Sequence, residues 1–253
     1  MVKTSTSDRL PLSPTRSPDK GFVWWQSLLF AVLVTGALLI TIVFALVFMV
    51  VTGMAQLADL KTVSSQNLAA QFVGYLAVVA VMVPLLPALA RRSWRALGMR
   101  APRWRDVAYG VGGMIAMLLA SGAAAYVQEH VAHVKADEVQ VHWLRAARGT
   151  TAWMFVVLAC IAGPVIEELI FRGFLFNALR RYLPVWVAIV VSALAFGFAH
   201  LQPGNAGVIV PLTVGGIVLA WVYYRSGSLV AAMFTHALFN LVPVVLIVGF
   251  HAA

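Results

Sequence analysis

Seven long apolar runs constrain this chain more than any other feature of its sequence. They cover residues 22–55, 68–90, 107–127, 152–183, 185–201, 206–224 and 229–250. A helix of about 20 apolar residues spans a bilayer, and it satisfies its own backbone hydrogen bonds, as the lipid interior requires. We therefore predict an all-α fold, a polytopic membrane helix bundle with about seven transmembrane helices and a range of six to eight.

The composition excludes a water-soluble domain. Of the 253 residues, 62% are hydrophobic and 11% are charged, and the mean hydropathy is +0.90. So much apolar surface cannot be buried in one aqueous core. The net charge of +9 comes largely from basic residues in short loops, where they orient helices in a membrane. We expect membrane lipids as partners and no nucleic acid. The single cysteine, Cys160, excludes an internal disulfide.

The chain divides into a tail and one membrane domain. Residues 1–21 are polar and lack the apolar core of a signal peptide, so we predict a flexible tail. Residues 22–253 form the integral membrane domain. The arginines at 91–105 predict a cytoplasmic loop, which puts the amino terminus inside and the carboxyl terminus outside if the spans alternate. The long fourth run is predicted to divide at Gly163-Pro164 into a re-entrant piece and a helix.

Ionisable residues inside the apolar runs are costly and therefore indicate a functional site. In the fourth run, Glu168 and Arg172 are four residues apart with the acid first, the favourable orientation for a helical salt bridge. Glu167 projects about 100° away around the same helix, so it cannot easily share that contact. We predict that Arg172 is the structural partner of Glu168 and that Glu167 is available as a base.

Two histidines in later runs can reach the same region. Glu167 and His200 lie about equally far from the connection between their helices, so an antiparallel pair brings them to one depth. Ala193 and Gly197 are predicted to give the small surface that this approach needs. In the last run, His236 and Asn240 are four residues apart and face the same way.

The histidines of the polar loop are weak candidates for a second metal site. His130, His133 and His142 lie in the polar loop at 128–150, where no supporting ligand set accompanies them. We predict a solvated, peripheral role for these three residues.

Taken together, the polar residues of the last four runs resemble a known family. The order of the motifs is similar to that of the CPBP intramembrane proteases, which include the type II CAAX prenyl endopeptidases and bacterial immunity-type (Abi) proteins. The matching motifs are Glu167-Glu168-x-x-x-Arg172, Phe196-x-x-x-His200 and His236-x-x-x-Asn240. The resemblance covers residues 152–240, about a third of the chain, and places the protease core at about 152–250.

The resemblance implies an intramembrane endopeptidase in a bacterial cytoplasmic membrane. Its substrates would be membrane-associated or prenylated, CAAX-type proteins or peptides. Glu167 and His200 would position and deprotonate a water molecule. His236 and Asn240 would stabilise the oxyanion that forms when the water attacks the peptide carbonyl.

Three questions stay open at this point. Glu168 and Arg172 would hold the site in register, but the water could be activated with or without a metal. In the metal version, Glu167, His200 and His236 bind Zn²⁺. A different class of protein also fits: a non-hydrolytic scaffold or an immunity or signalling protein that uses the polar cluster as a structural lock or proton relay. The sequence does not reveal the oligomeric state.

Overall fold

The computed structural model describes residues 93–136, 139–201 and 206–251, together with Leu76 and Ala80. A short 3₁₀ helix at Trp94–Leu97 precedes six α-helices in these ranges. They are α1 (Trp104–Ala132), α2 (Val139–Ala146), α3 (Gly149–Leu179), α4 (Val185–Ala199), α5 (Ile209–Ser226) and α6 (Leu229–His251). The predicted tail and the first two apolar runs lie outside the described residues.

The predicted helical membrane bundle is confirmed. Within the described ranges, four helices are long and apolar enough to cross a membrane: Trp104–Ala132, Gly149–Leu179, Ala206–Ser226 and Leu229–Ile247. The fifth apolar helix, Val185–Ala199, is shorter. These five helices coincide with the last five apolar runs, and the total of seven spans stays a prediction. Helix α2 was not predicted, because its eight residues lie in a polar loop and are less apolar than those of the long helices.

Helix α5 lies between α1 and α4, while α6 packs against α1 and α3. Adjacent glycines explain why α5 can be so close to two neighbours. A Cβ atom added at Gly216 would lie 3.0 Å from the Cα atom of Ala193 on α4. One added at Gly215 would lie 2.8 Å from Cε of Met117 on α1. Small residues therefore allow the close helix approach that apolar burial cannot drive inside a bilayer.

This packing corrects one expectation. Ala193 and Gly197 were predicted to let α4 approach the helix that carries Glu167, which is α3. Both residues face α5 instead, since a Cβ atom at Gly197 would lie 2.9 Å from the backbone oxygen of Ile209. The face of α4 that carries the small residues thus packs against α5.

Helix α3 continues through Gly163-Pro164, so the predicted division into a re-entrant piece and a helix is wrong. Two π-helical segments, Leu158–Ala162 and Leu169–Phe176, interrupt its α-helical course. At the end of the first, the N–H of Gly163 donates to the oxygen of Leu158, five residues earlier. The wider turn accommodates a proline that has no N–H of its own to donate.

The arginine-rich connections lie at one end of the bundle. There, the hydroxyl of Tyr223 donates to the oxygen of Leu97 at 2.9 Å, and the N–H of Leu229 donates to the oxygen of Gly98 at 3.1 Å. At the opposite end, the side chain of Gln128 donates to the oxygen of Gly207 at 2.8 Å. The assignment of the arginine-rich end to the cytoplasm stays a prediction.

Candidate active site

Three helices bring one carboxylate and two imidazole rings together. Oε2 of Glu167 on α3 lies 3.6 Å from Nε2 of His200 at the end of α4. It lies 3.8 Å from Nε2 of His236 on α6. The structure therefore brings Glu167 and His200 together, as the helix lengths predict, and His236 joins them as expected.

Beside this group, Glu168 and Arg172 form the expected salt bridge. Nη1 of Arg172 donates to Oε1 of Glu168 at 2.9 Å, and neither side chain is exposed. Nη2 of Arg172 donates to the oxygen of Gly216 on α5, also at 2.9 Å. The guanidinium thus neutralises a buried carboxylate and links α3 to α5. Either charge buried without the other would destabilise the fold strongly.

The second nitrogen of each histidine has a partner of its own. Nδ1 of His200 contacts the oxygen of Phe196 at 2.7 Å, and Nδ1 of His236 contacts Oε1 of Glu168 at 3.1 Å. A backbone oxygen only accepts hydrogen bonds, so Nδ1 of His200 carries a hydrogen. An ionised Glu168 requires the same of His236. In the neutral form of each ring, Nε2 then presents a lone pair towards Glu167.

The two glutamates consequently occupy different surroundings. The side chain of Glu168 is completely buried, whereas that of Glu167 is about one-fifth exposed. Oε2 of Glu167 itself is buried and has no hydrogen-bond partner in the described structure. A buried oxygen without a partner, between two imidazole rings, is a place for a water molecule or another donor.

Phe196 forms the wall of this group. Its ring is 1% exposed, and its centre lies 4.6 Å from that of His200 and 5.7 Å from that of His236. The guanidinium of Arg172 lies 4.8 Å from the same ring, within cation–π distance. Phe196 therefore orients both imidazoles and keeps the ion pair away from lipid.

Asn240 lies one helical turn beyond His236, as its spacing predicts, but its amide is engaged elsewhere. Nδ2 of Asn240 donates to the oxygen of Ala159 at 2.7 Å. Ala159 belongs to the first π-helical segment of α3. One N–H of this amide thus contacts backbone rather than the space beside Glu167.

Two residues that were not predicted to belong to the site support α3 near it. Nδ2 of Asn177 contacts the backbone oxygens of Arg172 at 2.9 Å and Gly173 at 3.1 Å. It also donates to the hydroxyl of Tyr223 at 2.7 Å. No sequence signal could have identified this pair, because the π-helical segment that exposes the two oxygens has no sequence pattern of its own.

The three loop histidines lie apart from this group. His130, His133 and His142 are all exposed, in agreement with a peripheral role. His130 stacks on Tyr126, with ring centres 4.0 Å apart.

The donor chemistry of Glu167, His200 and His236 suits zinc, but the described residues include no group of three His, Cys, Asp or Glu side chains arranged to hold a metal ion. Zinc bonds to these atoms are about 2.0–2.2 Å long, which places ligand atoms of one tetrahedral ion about 3.3 Å apart. The separations of 3.6 and 3.8 Å are wider.

The fold and the cluster define a polytopic membrane protein with a carboxylate and two imidazoles held inside a helix bundle. Residues 149–242 match the family described as type II CAAX prenyl endopeptidase Rce1-like. The resemblance predicted from the motifs is thereby confirmed, and the matched region contains all six predicted site residues. The match covers a little more than a third of the chain and shows what that part of the chain is similar to.

Two bacterial relatives are similar to this chain. An uncharacterized protein of Mycoplasma capricolum is 30% identical over 97 residues, which are 38% of this chain and 28% of that protein. The Bacillus subtilis protein named "Putative membrane peptidase YdiL" is 22% identical over 175 residues, 69% of this chain and 68% of the relative. This chain therefore matches little more than a quarter of the Mycoplasma protein, and both relatives fit a bacterial membrane location. No solved structure gives a significant match.

Proposed function

We propose that this protein is an intramembrane endopeptidase that hydrolyses peptide bonds of membrane-associated or prenylated, CAAX-type proteins or peptides. The observation that carries the proposal is the convergence of Oε2 of Glu167 with Nε2 of both His200 and His236. Oε2 of Glu167 and, in the neutral ring, Nε2 of His200 both accept hydrogen bonds, so a water molecule between them would find an acceptor for each of its hydrogens. That arrangement polarises a water for attack.

In the proposed reaction, Glu167 is the general base. It takes a proton from the water while His200 accepts a second hydrogen bond and orients the oxygen. The oxygen attacks the peptide carbonyl and forms a tetrahedral oxyanion. Glu167 then returns the proton to the leaving nitrogen as the C–N bond breaks. The products are a carboxylic acid and an amine.

The oxyanion needs hydrogen-bond donors, and we assign this task to His236 and Asn240. Nε2 of His236 donates in the protonated form of the ring, in which Nδ1 donates to Glu168. Asn240 has a second side-chain N–H besides the one that contacts Ala159. Arg172 holds Glu168 in place through its hydrogen bond at 2.9 Å. In the zinc version of the proposal, Glu167, His200 and His236 would hold the ion, which supplies a more acidic water.

The alternative class, a non-hydrolytic scaffold or an immunity or signalling protein, needs the cluster only as a lock or proton relay. The ion pair between Glu168 and Arg172 suits a lock, because both side chains are fully buried. Glu167 suits it less, because Oε2 is 3.6 and 3.8 Å from the two imidazoles and makes no hydrogen bond in the described structure. The state of Glu167 therefore favours the hydrolase.

Cleavage by purified protein in proteoliposomes tests the proposal. Membrane-anchored peptides, with and without a prenylated CAAX tail, would be incubated with wild type, Glu167→Gln and His200→Ala. Glu129→Gln and His130→Ala are matched controls, because they make related changes at exposed positions of α1. We expect cleavage to be lost in the first pair and kept in the second. Equal cleavage by all five folded proteins would refute the assignment.

A further inference from the structure

A groove runs between α1 and α5 and begins at the arginine-rich end of the bundle. Its volume is about 580 Å³, which lies within the size range of small-molecule sites. Its described lining includes three small residues of α1 and two valines of α5, namely Gly112, Gly113, Ala116, Val218 and Val222. None of the described residues that line it is a predicted site residue, so the groove is distinct from the candidate active site.

The groove has the length of one membrane leaflet. From Trp104 to Ala116, α1 rises about 18 Å at 1.5 Å per residue. Half of a hydrocarbon core of about 30 Å is about 15 Å. At Gly112 the groove is open, because a Cβ atom added there would meet nothing within 4 Å. A space of this length, apolar and open beside a helix, fits the acyl chain of a lipid.

Two arginine–tryptophan pairs, one from each helix, flank the end of the groove at the membrane surface. The guanidinium of Arg105 lies 5.7 Å from the ring centre of Trp104, and that of Arg225 lies 5.7 Å from the ring centre of Trp221. All four side chains are exposed. Tryptophan prefers the level of the lipid head groups, and cation–π contacts hold each guanidinium against its ring. Both positive charges therefore lie where lipid phosphates lie.

These two positive charges are not neutralised by the described part of the chain. The acid nearest in sequence, Asp106, is buried and already accepts two hydrogen bonds from Arg100, at 2.7 and 2.9 Å. Neither Arg105 nor Arg225 has an ion pair with a described residue. Two exposed arginines beside an apolar groove complement a ligand with an anionic head and an apolar tail.

We propose that this groove binds an anionic phospholipid of the leaflet at the arginine-rich end. Its phosphate lies between Arg105 and Arg225, and one acyl chain lies against Gly112. A zwitterionic phospholipid fits less well, because the two arginines repel its cationic head group. A substrate in the groove would not present its peptide bond to Glu167, which is not part of the described lining. The lipid site does not depend on the proposed hydrolysis.

Native mass spectrometry tests the selectivity for anionic lipid. Delipidated protein in detergent would be titrated with phosphatidylglycerol or with phosphatidylcholine of the same acyl chains. We expect phosphatidylglycerol to bind about tenfold more tightly, and the double variant Arg105→Gln, Arg225→Gln to lose this preference. Arg95→Gln with Arg145→Gln is the matched control, since it removes the same charge from exposed positions outside the groove lining. Equal affinities for the two lipids in wild type, or an unchanged preference in the groove variant, would overturn the proposal.

Filling the groove tests the place of the acyl chain. Gly112→Leu leaves both arginines in position, and its Cβ atom enters open space. Gly122→Leu is the matched control on the same helix, because its Cβ atom also meets nothing within 4 Å and Gly122 is not part of the described lining. We expect Gly112→Leu to weaken phosphatidylglycerol binding about tenfold and Gly122→Leu to leave it unchanged. Equal binding by both variants would exclude the groove as the acyl site.

Tryptophan fluorescence covers the case in which a groove variant does not fold. Bromine on an acyl chain quenches a tryptophan that it contacts. We expect brominated phosphatidylglycerol to quench wild type more than brominated phosphatidylcholine does, and the difference to shrink in Trp104→Phe with Trp221→Phe. Trp186→Phe is the control, since Trp186 is exposed on α4. A difference that persists without Trp104 and Trp221 would contradict the proposal.

Competition decides between a lipid and a substrate as the occupant. A prenylated peptide without bromine would be added to wild type that has bound brominated phosphatidylglycerol. We expect the quenching to stay, and an excess of unlabelled phosphatidylglycerol to remove it. Displacement by an equal concentration of the prenylated peptide would assign the groove to the substrate and refute the lipid site.

Discussion

Glu168 accepts a hydrogen bond from Nδ1 of His236 at 3.1 Å, on the same oxygen that receives Nη1 of Arg172. One oxygen thus connects the buried ion pair of α3 to an imidazole on α6. Because the ring can turn only about this contact, its Nε2 atom is held towards Glu167. The adjacent glutamates therefore have different contacts: Glu168 fixes the ring of His236, and Glu167 faces its Nε2 atom.

Glu167→Gln should abolish hydrolysis without unfolding the protein. The amide has nearly the shape of the carboxylate but cannot take a proton from water, so we expect kcat to fall by about 10²- to 10⁴-fold. Single-turnover cleavage of a membrane-anchored peptide measures this loss. The melting temperature should stay close to that of wild type, because Oε2 has no hydrogen bond to lose. Full activity in this variant would exclude Glu167 as the base.

Arg172→Met should destabilise the fold strongly. It leaves the buried charge of Glu168 unpaired and removes the donor to Gly216, which costs about 3–5 kcal/mol. In the double variant with Glu168→Leu, the loss should be smaller than the sum of the two single losses, because no lone charge remains. Reversible unfolding in mixed micelles gives the four free energies. Additive losses would show that the pair is not coupled.

Gly197→Ala should disturb the position of His200, three residues later. The new Cβ atom would lie 2.9 Å from the backbone oxygen of Ile209, so α4 and α5 must move apart, at about 1–3 kcal/mol. Gly122→Ala on α1 is the control, since a Cβ atom there meets nothing within 4 Å. We expect a lower kcat and melting temperature only for Gly197→Ala. The same behaviour in both variants would contradict the packing.

Removal of metals should leave hydrolysis intact if water is activated by Glu167 and His200 alone. Dialysis against a strong chelator, followed by elemental analysis and a cleavage assay on the same sample, is the measurement. Activity that disappears and returns with one equivalent of zinc would instead support the version in which Glu167, His200 and His236 hold the ion. Loss of bound zinc in His236→Ala would strengthen that conclusion.

Periodicity and spacing predicted much of this arrangement. Glu168 and Arg172 pair because residues four apart lie on the same face of a helix. Glu167 meets His200 because both residues lie about equally far from the short connection between their helices. These contacts depend on helix geometry alone. The last five apolar runs became helices for the same reason.

Contacts that depend on how helices face one another could not be predicted in this way. The small residues Ala193 and Gly197 predicted a close helix contact, but they do not indicate whether the partner is α5 or α3. The π-helical turns before and after Glu167 were also invisible, because proline usually signals a break. The contacts of Asn177 with Arg172 and of Asn240 with Ala159 depend on those turns, so the sequence did not predict them.

The distribution of the cluster over α3, α4 and α6 has a consequence for biosynthesis. Helices enter the membrane in chain order, so Glu167 and His200 are inserted before His236. Until α6 arrives, Glu168 lacks its histidine and the oxygen of Ala159 lacks its amide. The complete cluster therefore forms only after α6 is inserted, and a nascent chain that ends before α6 has Glu167 and His200 without His236.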